Sequence, residues 1–145
     1  MIYTAADDHG FTVMQHVHEY LKTRGLEFED SGVTSTDQDL KLEDMIPPVA
    51  QKVLCEDGSG GILICGTGIG VQVGANKFSG IRACLATTPQ IAQWARQYDK
   101  CNILCLVGWD DDKEKINKIL DAWFQTEYDG SENRLKMFEE FNKWH

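Results

Sequence analysis

Residues 60–70 read Gly-Gly-Ile-Leu-Ile-Cys-Gly-Thr-Gly-Ile-Gly, and this run constrains the fold more than any other. Ile62, Leu63 and Ile64 form a short apolar stretch closed off by glycines, which predicts a strand buried on both faces of a parallel sheet. Cys65 stands where that strand ends. Gly66, Gly68 and Gly70 let the backbone turn tightly and approach a ligand closely. An amphipathic segment over 71–77 predicts a helix directly after. Strand, glycine turn and helix N-terminus together present unpaired backbone N–H groups to a negative charge. The same helix dipole favours a thiolate. One stretch thus offers a base or nucleophile and an anion cradle. It is not a dinucleotide fingerprint, because Val71 occupies the place of the third glycine. Nor is it a P-loop, since no Gly-Lys-Ser/Thr follows. Glycine turns and buried cysteines also occur in many α/β proteins without chemistry there.

The rest of the chain alternates strand and helix signals. Strands are expected at 2–6, 26–30, 61–65, 81–86 and 102–107. Phe11, Met14, Val17 and Leu21 make a helical stripe ending near Gly25. Residues 31–44 read as a polar loop. Pro47 and Pro48 are expected to open a helix running to about Glu56, because proline is tolerated in a first turn. Further helices are expected over 89–97 and around Ile116, Ile119, Leu120 and Trp123, the latter after three aspartates that suit a first turn. A break at 128–131 precedes a last apolar stripe of Met137, Phe138, Phe141 and Trp144. That stripe packs on the chain's own core or covers a partner subunit. The pattern predicts a doubly wound α/β sheet, and residues 1–145 are expected to form one domain. Ligands of such sheets sit beyond the carboxyl ends of the strands. Residues 7–9, 65–70, 87–88 and 108–109 all fall at that edge.

Charge and cysteines narrow the partners. With 14 basic and 23 acidic residues the formal net charge is −9, which argues against nucleic acid and anionic membranes. An anion site in such a protein has to be built locally. No run approaches the roughly 20 apolar residues of a membrane span, and the first residues lack a signal-peptide core, so a cytoplasmic location is expected. The five cysteines are 55, 65, 84, 101 and 105. An odd number without Cys-x-x-Cys spacing fits free thiols in a reducing compartment. No His, Cys, Asp or Glu cluster has metal-ligand spacing. No metal or cofactor is expected, and chelators are expected to leave activity unchanged.

Residues 61–70, then Ala-Asn-Lys-Phe at 75–78 and Gly-Ile-Arg-Ala at 80–83, resemble the ribose-5-phosphate isomerase B / galactose-6-phosphate isomerase family. The resemblance runs over nearly the whole chain. It takes in Asp8 and His9, Asn102, and Tyr-Asp-Gly at 128–130. It implies a Rossmann-like five-stranded parallel sheet with helices on both faces and a C-terminal helix. It implies a homodimer, with a tetramer open as a larger assembly, and sites at the subunit interface. It implies metal-free aldose–ketose isomerisation through an enediolate. Cys65 matches the base of the family's cysteine branch, the turn Gly66, Gly68, Ile69 and Gly70 matches its oxyanion cradle, and Thr67 matches a site threonine. Asp8 and His9 match residues at the sugar, although the N-terminal motif is one residue shorter and Asp7 can take the place of Asp8. Asn76 and Asn102 join the substrate-binding set.

The chain departs from the family at informative places. The family's Arg-Gln-His-Asn-Asp carries a ring-opening histidine, but here Arg96 and Gln97 are followed by Tyr98 and Asp99. Tyr98 or His9 is then expected to open the ring, unless the sugar enters open-chain. The Gly-Ser-Arg after the last strand reads Val107, Gly108, Trp109. The late Gly-Gly-Arg-His-Gln-x-Arg reads Gly130, Ser131, Glu132, Asn133, Arg134, Leu135, Lys136. Two phosphate-holding arginines thus become Trp109 and Glu132, and a third becomes Lys136, with Arg134 nearby in a shifted register. The leading expectation is an isomerase of an unphosphorylated or atypical sugar. The alternatives are an ordinary pentose- or hexose-phosphate isomerase, with Lys136, Arg134 and His9 rebuilding a phosphate site, or a non-catalytic sugar-binding paralogue. A cysteine hydrolase is disfavoured, since no His–Asp pair is placed to activate the thiol. Iodoacetamide is expected to label Cys65 faster than Cys84 or Cys105, which fall in expected buried strands.

Overall fold

Five parallel strands form one sheet in the computed structural model, which describes residues 1–144. In chain order the elements are β1 (Ile2–Ala6), α1 (Phe11–Thr23), β2 (Phe28–Asp30), α2 (Leu42–Cys55), β3 (Gly60–Cys65), α3 (Ile69–Ala75), β4 (Ala83–Leu85), α4 (Pro89–Gln97), β5 (Ile103–Val107), α5 (Lys113–Gln125) and α6 (Glu132–Phe141). The strand order is β2-β1-β3-β5-β4. β3 lies in the middle, paired with β1 on one side and β5 on the other. Its residues 61–65 are all buried, as a continuous apolar run requires. Ile62 and Ile64 pack with α1, α4 and α5 on one face. Leu63 and Cys65 pack with α2 and α3 on the other. The two-residue alternation of a strand therefore sends Cys65 to the α2–α3 side. Between β1 and β3 the chain reverses its direction across the sheet. The loops that leave their carboxyl ends diverge there and open a crevice.

Most elements stand where the sequence places them, and the differences have physical reasons. Pro47 and Pro48 lie inside α2, which opens at Leu42. The residues expected to end a loop are its first turn. Each proline lacks a donor to a preceding carbonyl, and the burial of Met45, Ile46, Val49, Ala50 and Val53 offsets that loss. β2 and β4 are three residues each, shorter than the apolar runs around them, because both are edge strands with one neighbour. α3 starts at Ile69 rather than Val71. The final stripe is only partly used. Phe138 is buried, while Met137, Phe141 and Trp144 are 37%, 41% and 70% exposed, so most of it faces away from the chain's own core.

One partly buried polar cluster links the fold to pH. Thr4, fully buried in β1, donates its hydroxyl proton to Asp30 at 2.9 Å and shares 2.9 Å with His18 Nε2. With that proton committed, the His18 Nε2–H is the donor to Thr4. His18 also stacks on Phe28 at 4.5 Å. Burial holds the His18 pKa below its ordinary value of 6.5, and Lys22 adds to this against the pull of Asp30. A folded pKa below the unfolded one means that the unfolded chain takes the proton more readily. The contribution to stability is present above about pH 6.5 and is lost as pH falls through the folded value. Wild type is therefore expected to lose more of its Tm between pH 7.5 and 5.5 than His18→Gln. Equal losses in calorimetry would remove His18 from the pH response.

Candidate active site

Cys65 closes β3 and is 4% exposed. At Gly68 the turn after it admits only glycine, and at Gly66 and Gly70 side chains pack close against the bare backbone. Gly68 has φ of +73°, and a Cβ there would meet Leu85 Cδ1 at 2.6 Å and the Leu106 carbonyl oxygen at 2.8 Å. A Cβ on Gly66 would meet the Trp109 indole at 2.6 Å. On Gly70 it would stand 3.9 Å from Cys65 Sγ and 2.8 Å from Leu42 Cδ1. The turn thus brings bare backbone beside the thiol. The Ile69 N–H is not free for a ligand, because it donates to Thr67 Oγ1 at 3.1 Å. Ile69 contributes an exposed side chain instead.

The loop after β1 meets this turn. Register pairs Ala6 with Ile64, and the ladder continues with Asp7 N–H donating to the Ile64 carbonyl at 3.2 Å. Asp7 therefore lies beside Cys65. Ala5 and Leu63, two residues back on each strand, share the α2–α3 face. Asp7 is buried, and its Oδ1 accepts the Gly10 N–H at 3.0 Å. Burial raises the Asp7 pKa above its ordinary value despite that hydrogen bond, and neighbouring Asp8 adds to the rise. Asp8 is half-buried and His9 is exposed, with 3.7 Å between carboxylate and imidazole. Of the alternatives at this loop, Asp7 is the inward-facing acid.

Trp109 forms the third wall. The Gly108 N–H donates to the Cys65 carbonyl at 2.8 Å and the Trp109 N–H to the Gly66 carbonyl at 3.1 Å. These bonds lay the indole over Gly66, where it is 66% exposed and meets the His9 ring edge at 5.7 Å. Gly108 leaves room for this, since a Cβ there would stand 2.4 Å from the His9 carbonyl oxygen. The result is an apolar platform beside the crevice between β1 and β3, where Cys65 ends β3 and Asp7 follows β1.

Other candidate residues stand elsewhere in the chain. Asn102 precedes β5, at the amino edge of the sheet, opposite Cys65. Its side chain donates to the Gly80 carbonyl and accepts the Arg82 N–H at 2.8 Å. Asn76 likewise donates to and accepts from the Ala83 backbone, at 2.9 and 2.8 Å. Both amides substitute for missing backbone partners at the short edge strand β4, so neither has a free side chain for substrate here. Tyr98 caps α4 at the amino edge as well, 41% exposed, with the Arg134 guanidinium 5.2 Å above its ring. Arg134 is salt-bridged to Asp129, and Lys136 is exposed on α6. Within one chain the set is therefore split between the two edges of the sheet. A cavity of about 470 Å³ lies between residues 76–83 and α6 and shares only Asn76 with it.

The thiols need one correction. Cys105 is fully buried and its pKa is pushed well up. Cys84, however, is only half-buried, and the neighbouring Cys101 thiol draws its pKa below the ordinary value. Slow labelling of Cys84 is not what this environment gives, because a three-residue edge strand shields it incompletely. Cys55 is exposed. Leu42, pressed on Gly70 near the thiol, falls in the 31–44 stretch that the sequence reads as a polar loop and is the first residue of α2.

The family model of the ribose/galactose isomerases matches residues 2–138. Ribose-5-phosphate isomerase B of Escherichia coli is 35% identical over 131 residues, 90% of this chain and 87% of that one. A 4-deoxy-4-sulfo-D-erythrose isomerase of a Clostridium species is 35% identical over 104 residues, 72% of this chain and 65% of that one. Among solved structures, a ribose 5-phosphate isomerase of Thermotoga maritima superposes with a TM-score of 0.92 at 33% identity, covering 99% of this chain and 97% of its own.

Proposed function

This chain belongs to the ribose/galactose isomerase family, and on that premise we propose that it interconverts an aldose and a ketose through an enediolate, with the Cys65 thiolate as base. The observation that carries the reading is the placement of Cys65 and Asp7 side by side under the glycine turn. Moving a proton between C1 and C2 takes one base that removes and returns it. Cys65 Sγ takes the proton from the carbon next to the carbonyl. The enediolate oxygen then accepts hydrogen bonds from the free backbone N–H groups of the 66–70 turn, and such electrostatic support is often the largest catalytic term. Asp7, whose buried carboxyl holds a proton more readily than an exposed one, exchanges that proton with a substrate oxygen. Cys65 finally delivers its proton to the neighbouring carbon.

The split of the candidate residues between opposite sheet edges supports a homodimer in which a second copy brings its Tyr98 edge to this cleft. The lost arginines support a sugar without phosphate, and the sulfo-sugar named for the Clostridium relative supports a family scaffold that admits other head groups. Proton transfer through solvent-exchangeable groups is tested in D2O. The enzyme is expected to place deuterium on C1 or C2 of its sugar. A paralogue that only binds would bring in none, and neither would a direct hydride shift.

Ring opening falls to Tyr98 or His9. Tyr98→Phe removes only a hydroxyl. If Tyr98 is the acid, kcat on a cyclic sugar falls by about 100-fold, the low end for general acid catalysis, while an open-chain substrate turns over as before. An unchanged rate on the cyclic sugar would pass the role to His9.

A further inference from the structure

Cys84 and Cys101 lie on one face of the sheet. Cys101 belongs to the core packed by α1, α4 and α5, and Cys84 packs against that core from the edge strand β4. β4 and β5 are hydrogen-bonded neighbours, and the Asn102 N–H donates to the Arg82 carbonyl at 2.9 Å. This ties the residue after Cys101 to Arg82, two residues before Cys84, while register pairs Cys84 itself with Leu104. Both thiols line one open cavity of about 390 Å³, together with Ile91, Trp94, Ala95 and Asp99. Cys84 is half-buried and within reach of a small solute, whereas Cys101 is buried. Cys101 stands outside helix and strand, with its N–H donating to the Ala95 carbonyl at 3.0 Å and its carbonyl accepting from the Arg96 guanidinium.

We propose that Cys84 and Cys101 form a reversible intrachain disulfide on exposure to a peroxide, with Cys84 as the attacking thiol and Cys101 as the resolving one. The Cys84 thiolate attacks one peroxide oxygen. The S–O bond forms, the O–O bond breaks, and the departing hydroxide takes a proton to leave as water. The Cys101 thiol, held above its ordinary pKa by Cys84 and by burial, gives up its proton to the departing oxygen as its sulfur attacks the sulfenic sulfur. The S–S bond forms, the S–O bond breaks, and the second hydroxide leaves as water with the Cys101 proton. Two thiols are oxidised and one hydrogen peroxide is reduced to two waters. A dithiol reductant reverses the change by exchange. The lowered pKa of Cys84 beside Cys101 favours this order of events. The inference concerns residues outside the catalytic cleft and stands independently of the proposed isomerase reaction.

The test uses the full-length protein with Cys55→Ser, which removes the exposed thiol. After treatment with hydrogen peroxide, unreacted thiols are alkylated and a non-reducing tryptic digest is analysed by mass spectrometry. Cleavage after Arg96 and Lys100 separates the two cysteines, and fragmentation of the 101–113 peptide, which also carries Cys105, assigns the linked sulfur. The expected result is one linked peptide pair joining Cys84 to Cys101, absent after dithiothreitol. In Cys101→Ala the linked pair should vanish, and Cys84 should be trapped by dimedone as its sulfenic acid. Cys84 over-oxidised to the sulfinic acid while Cys101 remains alkylatable would overturn the proposal. So would a link between Cys84 and any other cysteine.

Discussion

Cys65→Ser is expected to lose about 10³-fold in kcat, within the range of about 10²–10⁴ that a positioned base contributes. Its Tm should stay close to that of wild type. The thiol is 4% exposed, and serine keeps its size and rotamers while offering a hydroxyl of far lower acidity. The glycine turn is unaffected, since its contacts run through backbone, Leu42, Leu85 and Trp109. The variant should therefore still bind the sugar and keep its oxyanion donors while the proton stays on carbon. Solvent deuterium incorporation should fall in step with kcat. Activity within tenfold of wild type would place the base elsewhere. Asp7 would be the next group to examine, because register sets its backbone beside that of Cys65 and its carboxyl is buried. Asp7→Asn separates the two roles. Loss of an acid–base partner lowers kcat and shifts the pH profile, but leaves C–H exchange at Cys65 measurable.

The sequence carried most of this cleft because several signals agree within a few residues. β3 reads as a buried central strand since it is apolar on both faces, and Gly68 after it is required by its positive φ and the Leu106 carbonyl, while side chains press on Gly66 and Gly70. The doubled proline was a weaker guide. It marks a tolerated first turn in general, whereas here five buried apolar residues hold it inside α2. Asn76 and Asn102 show a different limit. An amide that ties a turn to a short edge strand and an amide that holds a sugar look alike in sequence, and only the partner distances separate them. The position of Tyr98 was legible in principle. A helix that follows β4 in a parallel sheet must end at the amino edge, so Tyr98 and Cys65 of one chain could not meet.

The substrate is expected to be a sugar without phosphate, with kcat/KM for a free aldose or ketose at least equal to that for ribose 5-phosphate or allose 6-phosphate. Arginine suits a phosphate dianion because it joins charge to a two-pronged donor geometry. At the positions that match the family's phosphate arginines this chain has Trp109, Glu132 and Lys136. Trp109 offers a 66% exposed indole, a surface of the kind on which sugar C–H groups stack. Glu132 heads α6 as an exposed carboxylate, and a like charge set against phosphate costs several kcal/mol when water is excluded. Arg134 does not replace the lost donors, because it is bound to Asp129 and lies over the Tyr98 ring. The net charge of −9 adds no attraction from a distance. Each restored charged hydrogen bond is worth about 1.5–3 kcal/mol. Trp109→Arg with Glu132→Arg should therefore raise kcat/KM for the phosphorylated sugar by about 100-fold or more while lowering it for the free one. Steady-state comparison of wild type and this double variant on both sugar classes decides the matter. A wild-type preference for the phosphorylated sugar of about 100-fold, or about 2.7 kcal/mol of transition-state discrimination, would mean that Lys136 and His9 suffice to hold the dianion.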